Sequence, residues 1–322
     1  MDDSLLRQLV TAHLPVDAGR LRFEPIRTGK HNRSYYVHTG ADDVVLRVAP
    51  PVSPDVDGGD MIFYERNMMA QEPAIHALLR AETTVPVAEI YAYDDSHALI
   101  DRAYMLMERL PGRALSDMAS VSPRFYDRVL EQVGDALRQV HALTAEAYGY
   151  LGEHRPMAPQ STWWAAFRLM WNALLDDVRD AGGYSDEEAD YMRRLLDAYR
   201  GCFERMVQAS LLHMDVWSQN ILVDDRGTLT GLVDLDRALW GDPEIEYAVL
   251  DYCGISEPAF WRGYGMARDE SPVAQVRQRF YLLYEVQKYI VIHLWRRDDP
   301  SGALRYKENS LRLAMPLARA TQ

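Results

Sequence analysis

The stretch that constrains this chain most is residues 211–246, LLHMDVWSQNILVDDRGTLTGLVDLDRALWGDPEIE. Two short apolar runs, Ile221-Leu222-Val223 and Leu229 to Val233, flank Asp224-Asp225-Arg226-Gly227, which reads as a hairpin turn. His213, Asp215, Asn220, Asp234 and Asp242 crowd around that hairpin, and burial alone gives no reason for so many polar groups beside apolar strands. A loop after Leu211-Leu212 is expected to present the Asp215 carboxylate and then the Asn220 amide oxygen at one end of the hairpin. Asp234, after Leu232-Val233, then points back towards both. An aspartate that accepts a hydroxyl proton, with an Asn and a second Asp gathering Mg2+, is the set phosphoryl transfer needs. Mg2+ takes hard oxygen ligands and commonly draws only one or two from the protein. Any one of these residues alone reads more simply as a turn cap; their order on one strand-loop-strand unit points to chemistry.

The 322 residues suit one large or two modest domains. The formal net charge of -13 disfavours nucleic acid as a partner, because such binding draws on Lys and Arg to release counterions. It steers a cationic small molecule favourably, although solubility explains the charge equally well. Cys202 and Cys253 are too few and too unpatterned for a disulfide framework or a zinc site. The opening MDDSLLRQLV lacks a basic region followed by a long apolar one, and stretches such as Ile290 to Trp295 fall short of spanning length. A cytoplasmic chain without a membrane partner is expected, and nothing indicates an oligomeric state.

Helical spacing covers Ser4 to His13, and strand character follows at Leu21 to Ile26, Arg33 to His38 and Val44 to Val48. Apolar residues recur at helical intervals from Tyr64 to Leu79; Val85 to Tyr93 and Ala103 to Glu108 return to strand, stopped by Pro111-Gly112. Beyond that the chain is mainly helical. A helix starts at Ser122-Pro123 and runs through Leu143, and a capping box at Ser185 to Glu188 opens another to about Val207. Gly241-Asp242-Pro243 starts a third. The tail from Pro272 to Leu317 is amphipathic with a break at Asp298 to Gly302.

HxDxxxxN at 213–220, a hydrophobic-hydrophobic-Asp ending at Asp234 and GDPxxE at 241–246 resemble the two signature motifs of the aminoglycoside phosphotransferase family, small-molecule kinases related to protein kinases. The resemblance covers nearly the whole chain. It implies an α+β, bilobal, protein-kinase-like fold, with an antiparallel β-rich nucleotide-binding lobe over 1–110 and a larger helical lobe over 111–322. It makes Asp215 the catalytic base, Asn220 and Asp234 the metal ligands, His213 structural, and Arg237, Asp242 and Glu246 supports of the loop. ATP or GTP with Mg2+ is the implied cofactor pair. Met214 departs from the usual Gly, and Glu246 from the more usual Asp.

In the first lobe, Thr28 to Ser34 stands where the family's nucleotide loop lies, with Lys30 and Asn32 as candidate contacts. Val45-Leu46-Arg47-Val48 looks like the third strand, whose Lys in kinases holds the phosphates against a helix glutamate. Here Arg47 takes that place, and a guanidinium still forks onto phosphate and carboxylate. Glu65 and Glu72 are both candidate partners, and Glu72 is preferred. Leu106 to Gly112 resembles the hinge, which places adenine against the Glu108 carbonyl and the Leu110 N–H, beside Met107.

The acceptor is less legible. Trp163, Trp164, Phe167 and Trp171 form a stripe at helical spacing, more often core than pocket. Asp236, Asp251, Glu257 and Glu285, with Trp217, are candidates to meet an ammonium-bearing substrate, although charged helix surface accounts for each equally well. Phe260 to Tyr264 and Leu282 to Tyr289 also resemble fructosamine kinases, from which Arg47 and Met214 depart. The leading expectation is phosphorylation of an aminoglycoside or other amino-sugar antibiotic; next comes a metabolic kinase of ketosamines or choline-like amines, and then an inactive kinase-fold binding protein.

Overall fold

The structure, a computed structural model, describes residues 1–27, 32–40, 42–50, 61–152 and 155–320. Helix α1 (Asp3–Thr11) precedes strands β1 (Arg22–Ile26), β2 (Arg33–His38) and β3 (Val44–Val48). Helix α2 (Glu72–Glu82) leads to β4 (Ile90–Asp94), β5 (Tyr104–Glu108) and β6 (Arg113–Ala114). There follow α3 (Pro123–Ala142), β7 (Thr144–Ala145), β8 (Gly149–Tyr150), α4 (Trp163–Asp180), α5 (Asp186–Ala198) and α6 (Arg200–Phe203). Strands β9 (Ala209–Leu212), β10 (Ile221–Val223), β11 (Leu229–Leu232) and β12 (Leu239–Gly241) come next. The chain closes with α7 (Pro243–Tyr252), α8 (Pro258–Tyr264), α9 (Pro272–Val291) and α10 (Pro300–Ala320), the last two joined through a π-helical turn, Ile292–Arg296. The fold class is α+β, as expected.

The chain forms two compact units. The first comprises Met1–Asp57, Met69–Val129 and Ser218–Asp236; the second comprises Gly58–Met68, Leu130–Trp217 and Arg237–Gln322. Compactness thus groups the hairpin with the N-terminal sheet, a different division from the functional one expected at residue 110.

In the first unit, five antiparallel strands run in the order β1-β2-β3-β5-β4. Leu6, Leu9 and Val10 of α1 pack with Leu21, Val37, Leu46, Val48 and Leu106, apolar positions at helical spacing on α1 meeting inward positions of the strands. Residues from Tyr64 to Leu79 do not make one helix, contrary to expectation. Asn67 sits at φ 55, a 3-10 turn covers Met68–Gln71, and α2 opens only at Glu72. Pro73, which lacks an N–H, suits that first turn and no position deeper in a helix. Val85 to Tyr93 likewise shortens to β4, starting at Ile90, because Pro86 gives no ladder donor. A three-stranded sheet, β11-β10-β6, carries the hairpin, with Ile221 opposite Leu232 and Leu222 opposite Ala114. Gly112 is required there: φ is 92, and a Cβ would stand 2.6 Å from the Val223 carbonyl oxygen.

The second unit holds a four-stranded sheet, β7-β9-β12-β8, most of α3, and helices α4 to α10. Trp163, Trp164, Phe167 and Trp171 of α4 are all buried, packed with Phe203, Phe280 and Tyr281, so the stripe is core. The indole of Trp163 donates to the Tyr281 hydroxyl at 2.7 Å, the partner a buried Trp needs. The Ser185–Glu188 capping box forms at α5, but that helix ends at Ala198 and α6 at Phe203, short of Val207. Among the described residues, no helix is long and apolar enough to cross a membrane.

Candidate active site

In the first unit the site is built on β3 and the hairpin. Asn220 immediately precedes β10, and its carbonyl accepts from the Val233 N–H at 3.1 Å. With Ile221 opposite Leu232, the antiparallel register brings Asn220 and Asp234 to the same end of the hairpin. Asn220 is buried; the Asp234 side chain is 39% exposed and its φ of 70 lies in the left-handed region. A non-glycine residue there costs roughly 1–3 kcal/mol and concentrates at functional sites. An amide and a carboxylate at one end of a hairpin are hard oxygen donors of the kind and number Mg2+ draws from a protein.

Arg47 on β3 reaches the same end. Its Nη1 donates to Glu72 Oε2 at 2.6 Å and its Nη2 to Asp234 Oδ1 at 2.7 Å, with Asp236 Oδ2 at 3.4 Å. Of the two candidate carboxylates, Glu72 takes the ion pair. Glu65, in the second unit, accepts from the Ile62 N–H and from Arg296. Burial lowers the pKa of Arg47, but Glu72, Asp234 and Asp236 outweigh it and push it up, so the guanidinium is locked in its charged form. Burial likewise raises Glu72, and Arg47 with His76 more than reverses this. Asp236 was expected to meet an ammonium group. It is instead buried against Arg47, and its carbonyl accepts from Gln71 Nε2 at 2.6 Å, so its charge serves the interior of the first unit.

The remaining described nucleotide candidates also lie in the first unit. Asn32 is buried at the entrance to β2, and its amide nitrogen finds no hydrogen-bond partner among the described residues. Lys30 lies outside the described residues. Met107 is buried beside Met69, Ala88 and Met105 at the end of β5. Glu108 and Leu110 border a shallow groove shared with Arg80 and residues 83–87.

In the second unit, Asp215 follows β9 on a strained turn. Met214 has φ 66, which gives the family's usual Gly a physical reason: glycine occupies that region without steric cost. The Met214 side chain is buried in the core, which offsets the strain. Glu246, fully buried on α7, holds the turn by accepting from the Met214 N–H at 2.6 Å, the His213 N–H at 3.1 Å and His141 at 2.8 Å. Burial pushes the Glu246 pKa up, and those hydrogen bonds, His141 first, bring it below the ordinary range. His213 is buried, and its Nδ1 receives the Asp215 N–H at 3.3 Å. Asp242 caps α7 by accepting from the Glu244 N–H at 3.1 Å, and it also takes Arg205 at 2.6 Å and the Tyr281 hydroxyl at 3.2 Å.

Arg237 Nη1 donates to Asp215 Oδ1 at 2.9 Å. Burial raises the pKa of Asp215, but Arg237, Lys288 and His213 together carry it below the usual carboxylate range. An anion so stabilised is a weak base whose orientation Arg237 fixes. Glu285 corrects a further expectation. Only 2% of its side chain is exposed, and it accepts from Arg237 at 3.2 Å and pairs with Lys288, which leaves a substrate nothing to meet. Asp251 is engaged at both oxygens by Arg268, at 2.8 and 2.7 Å. Glu257 is exposed ahead of α8, and Trp217 is half-buried. Sequence reading missed His141, Lys288 and Tyr64, whose ring lies 5.3 Å beneath the Arg237 guanidinium; no motif spacing marks them.

Among curated proteins, the chain is 25% identical over 279 residues to a protein of Lactiplantibacillus plantarum named as a probable ketoamine kinase, covering 84% of this chain and 87% of that one. Among solved structures, it resembles a fructosamine-3-kinase candidate of Thermobifida fusca with TM-score 0.67 at 18% identity, covering 99% of this chain and 100% of the other. It also resembles a thermostable mutant of aminoglycoside phosphotransferase APH(4)-Ia in ternary complex with AMP-PNP and hygromycin B. That likeness has TM-score 0.62 at 19% identity and covers 92% of this chain and 95% of the other. These folds are protein-kinase-like, as the sequence motifs imply. The family model described as the phosphotransferase enzyme family matches residues 22–283, so this chain belongs to that family and is a small-molecule phosphotransferase.

Proposed function

We propose that the chain transfers the γ-phosphoryl group of ATP or GTP to a hydroxyl of a small sugar bearing an amine. The observation that carries this reading is the hairpin end, where Asn220 and Asp234 lie together with Asp234 held by the Arg47–Glu72 pair. In this reading residues 1–110 bind the nucleotide, with Arg47 on its phosphates, Asn32 and Lys30 from the loop, and adenine against Glu108 and Leu110 beside Met107. Residues 111–322 carry the acceptor and Asp215. Asn220 and Asp234 would hold Mg2+, which supplies charge neutralisation on the phosphates. Asp215 accepts the acceptor's hydroxyl proton and, fixed by Arg237, aims that oxygen for attack. A triphosphate donor places the reaction in the cytoplasm.

Two acceptors share this chemistry. A ketoamine is supported by the curated relative that aligns over 84% of the chain. An aminoglycoside, with a role in antibiotic resistance, is supported by the fold shared with a phosphotransferase solved with hygromycin B. The net charge of -13 supports a cationic acceptor in either case. The test is turnover of ATP and GTP against fructosyl-lysine, a panel of aminoglycosides and choline. Turnover with fructosyl-lysine or an aminoglycoside is expected, and its absence with every amine overturns the reading.

A further inference from the structure

Asp215 stands at the outer end of a row of alternating charges that runs into the interior of the second unit. Arg237 donates one arm to Asp215 at 2.9 Å and the other to Glu285 at 3.2 Å, and the Lys288 ammonium closes the row on the second oxygen of Glu285. Side-chain exposure falls from 25% at Asp215 to 10% at Arg237 and 2% at Glu285, with 7% at Lys288. Glu285 and Lys288 sit one turn apart on α9, and aromatic rings lie against both cations: Tyr64 at 5.3 Å from Arg237 and Tyr289 at 5.1 Å from Lys288.

Burying four charges is a poor way to gain stability, since apolar residues of like volume serve as well or better. The row has a directional consequence, however. Glu285 and Asp215 draw on the same guanidinium, and Lys288 satisfies part of the demand of Glu285. Without it, Glu285 attracts Arg237 inward and the Asp215 carboxylate loses its clamp.

We propose that Lys288 and Glu285 are positioning residues that, acting through Arg237, fix the orientation of the Asp215 carboxylate for phosphoryl transfer. This rests on the assignment of Asp215 as the base. Burial and the neighbouring Arg237 draw Lys288 below the ordinary lysine range against the pull of Glu285 and Asp215, so its charge depends on the carboxylates it serves. The charged groups bearing on Asp215 include Arg237 and Lys288, with the His213 ring beside them. Losing Lys288 and loosening Arg237 both act in one direction, towards a higher Asp215 pKa.

The test follows the full-length protein with 13C-labelled aspartate carboxyls, the Asp215 signal being the one absent from Asp215→Asn. Lys288→Met is expected to raise the Asp215 titration midpoint by about one unit or more, and Lys288→Arg to leave it near the wild-type value. Lys288→Gln, which keeps a donor for Glu285 without the charge, gives the same rise if Lys288→Met fails to fold. An unchanged midpoint overturns the proposal, and so does loss of the fold in both neutral variants while Lys288→Arg folds. In turnover with fructosyl-lysine or whichever aminoglycoside is accepted, Lys288→Met lowers kcat about tenfold or more and leaves KM for the nucleotide within about twofold; the reverse pattern also overturns it. The titration needs no acceptor, so it stands apart from the base assignment, which wild-type turnover by Asp215→Asn would sink on its own.

Discussion

Two buried arginines, one in each unit, are built to the same plan. Arg47 is anchored by Glu72, fully buried, and presents itself to Asp234, 39% exposed. Arg237 is anchored by Glu285, 2% exposed, and presents itself to Asp215, 25% exposed. In both, a guanidinium fork spans from an interior glutamate to an aspartate nearer solvent, which fixes that carboxylate's rotation without a second helix or strand. The backing differs. Glu72 lies 3.8 Å from His76 on its own helix, whereas Glu285 has a full cation in Lys288. Arg47 is carried by a central strand, and Arg237 closes a 3-10 turn, Leu235–Arg237. The strand-borne arginine suits a role set by the scaffold, and the turn-borne one needs its second cation to hold position.

Removing each guanidinium is the strongest way to break this parallel. Arg47→Met should cost about 3–5 kcal/mol in denaturant unfolding, because it strands the buried Glu72, and Arg237→Met less, because Glu285 keeps its pair with Lys288. They should then part company: Arg47→Met weakens nucleotide binding in a titration, whereas Arg237→Met leaves it unchanged and raises the acid limb of the pH–rate profile. Equal losses of nucleotide affinity would dissolve the distinction.

Met214→Gly probes the turn beneath Asp215. It relieves a left-handed strain of about 1–2 kcal/mol but deletes a buried side chain worth about 2–5 kcal/mol. A net destabilisation of about 1–3 kcal/mol is expected in the same unfolding assay, and a gain in stability would show that the strain dominates.

The smallest effect concerns Asp177 on α4, which receives the Phe63 N–H at 2.8 Å. Burial, with Asp180 and Asp176 nearby, pushes its pKa up to about 6 against the pull of that N–H. Between the ordinary aspartate value and about 6 the folded chain therefore holds a proton that the unfolded chain has lost. Its contribution to stability is full below that window and falls as pH rises through it. Asp177→Asn should accordingly gain about 1 kcal/mol at pH 7.5 and nothing near pH 3.5. A gain of the same size at both pH values would place the effect elsewhere than in the charge.

The contrast between the arginines also marks what the sequence could disclose. Asp215, Asn220 and Asp234 stand out in the sequence because they occur at set intervals beside apolar strands, and Arg47 through the likeness of Val45-Leu46-Arg47-Val48 to a kinase third strand. The meander β1-β2-β3 was legible from alternation and turn residues. Glu285 and Lys288 were not legible as a pair, since on a helix whose buried face includes Gln287 and Lys288 no periodicity separates a buried charge from a surface one. Asp236 and Glu285 were therefore read as surface acids awaiting a cation, when each already has one inside the protein. The break before α2 was hidden because the apolar spacing through residues 64–79 continues across a 3-10 turn.

Asp215→Asn probes the proposed base, with kcat and nucleotide affinity read on the same preparation. A fall in kcat of about 10²-fold or more is expected, with nucleotide affinity near that of the wild type and the fold retained. Turnover within a few-fold of the wild-type rate would contradict it and place the acceptance of the hydroxyl proton on another group.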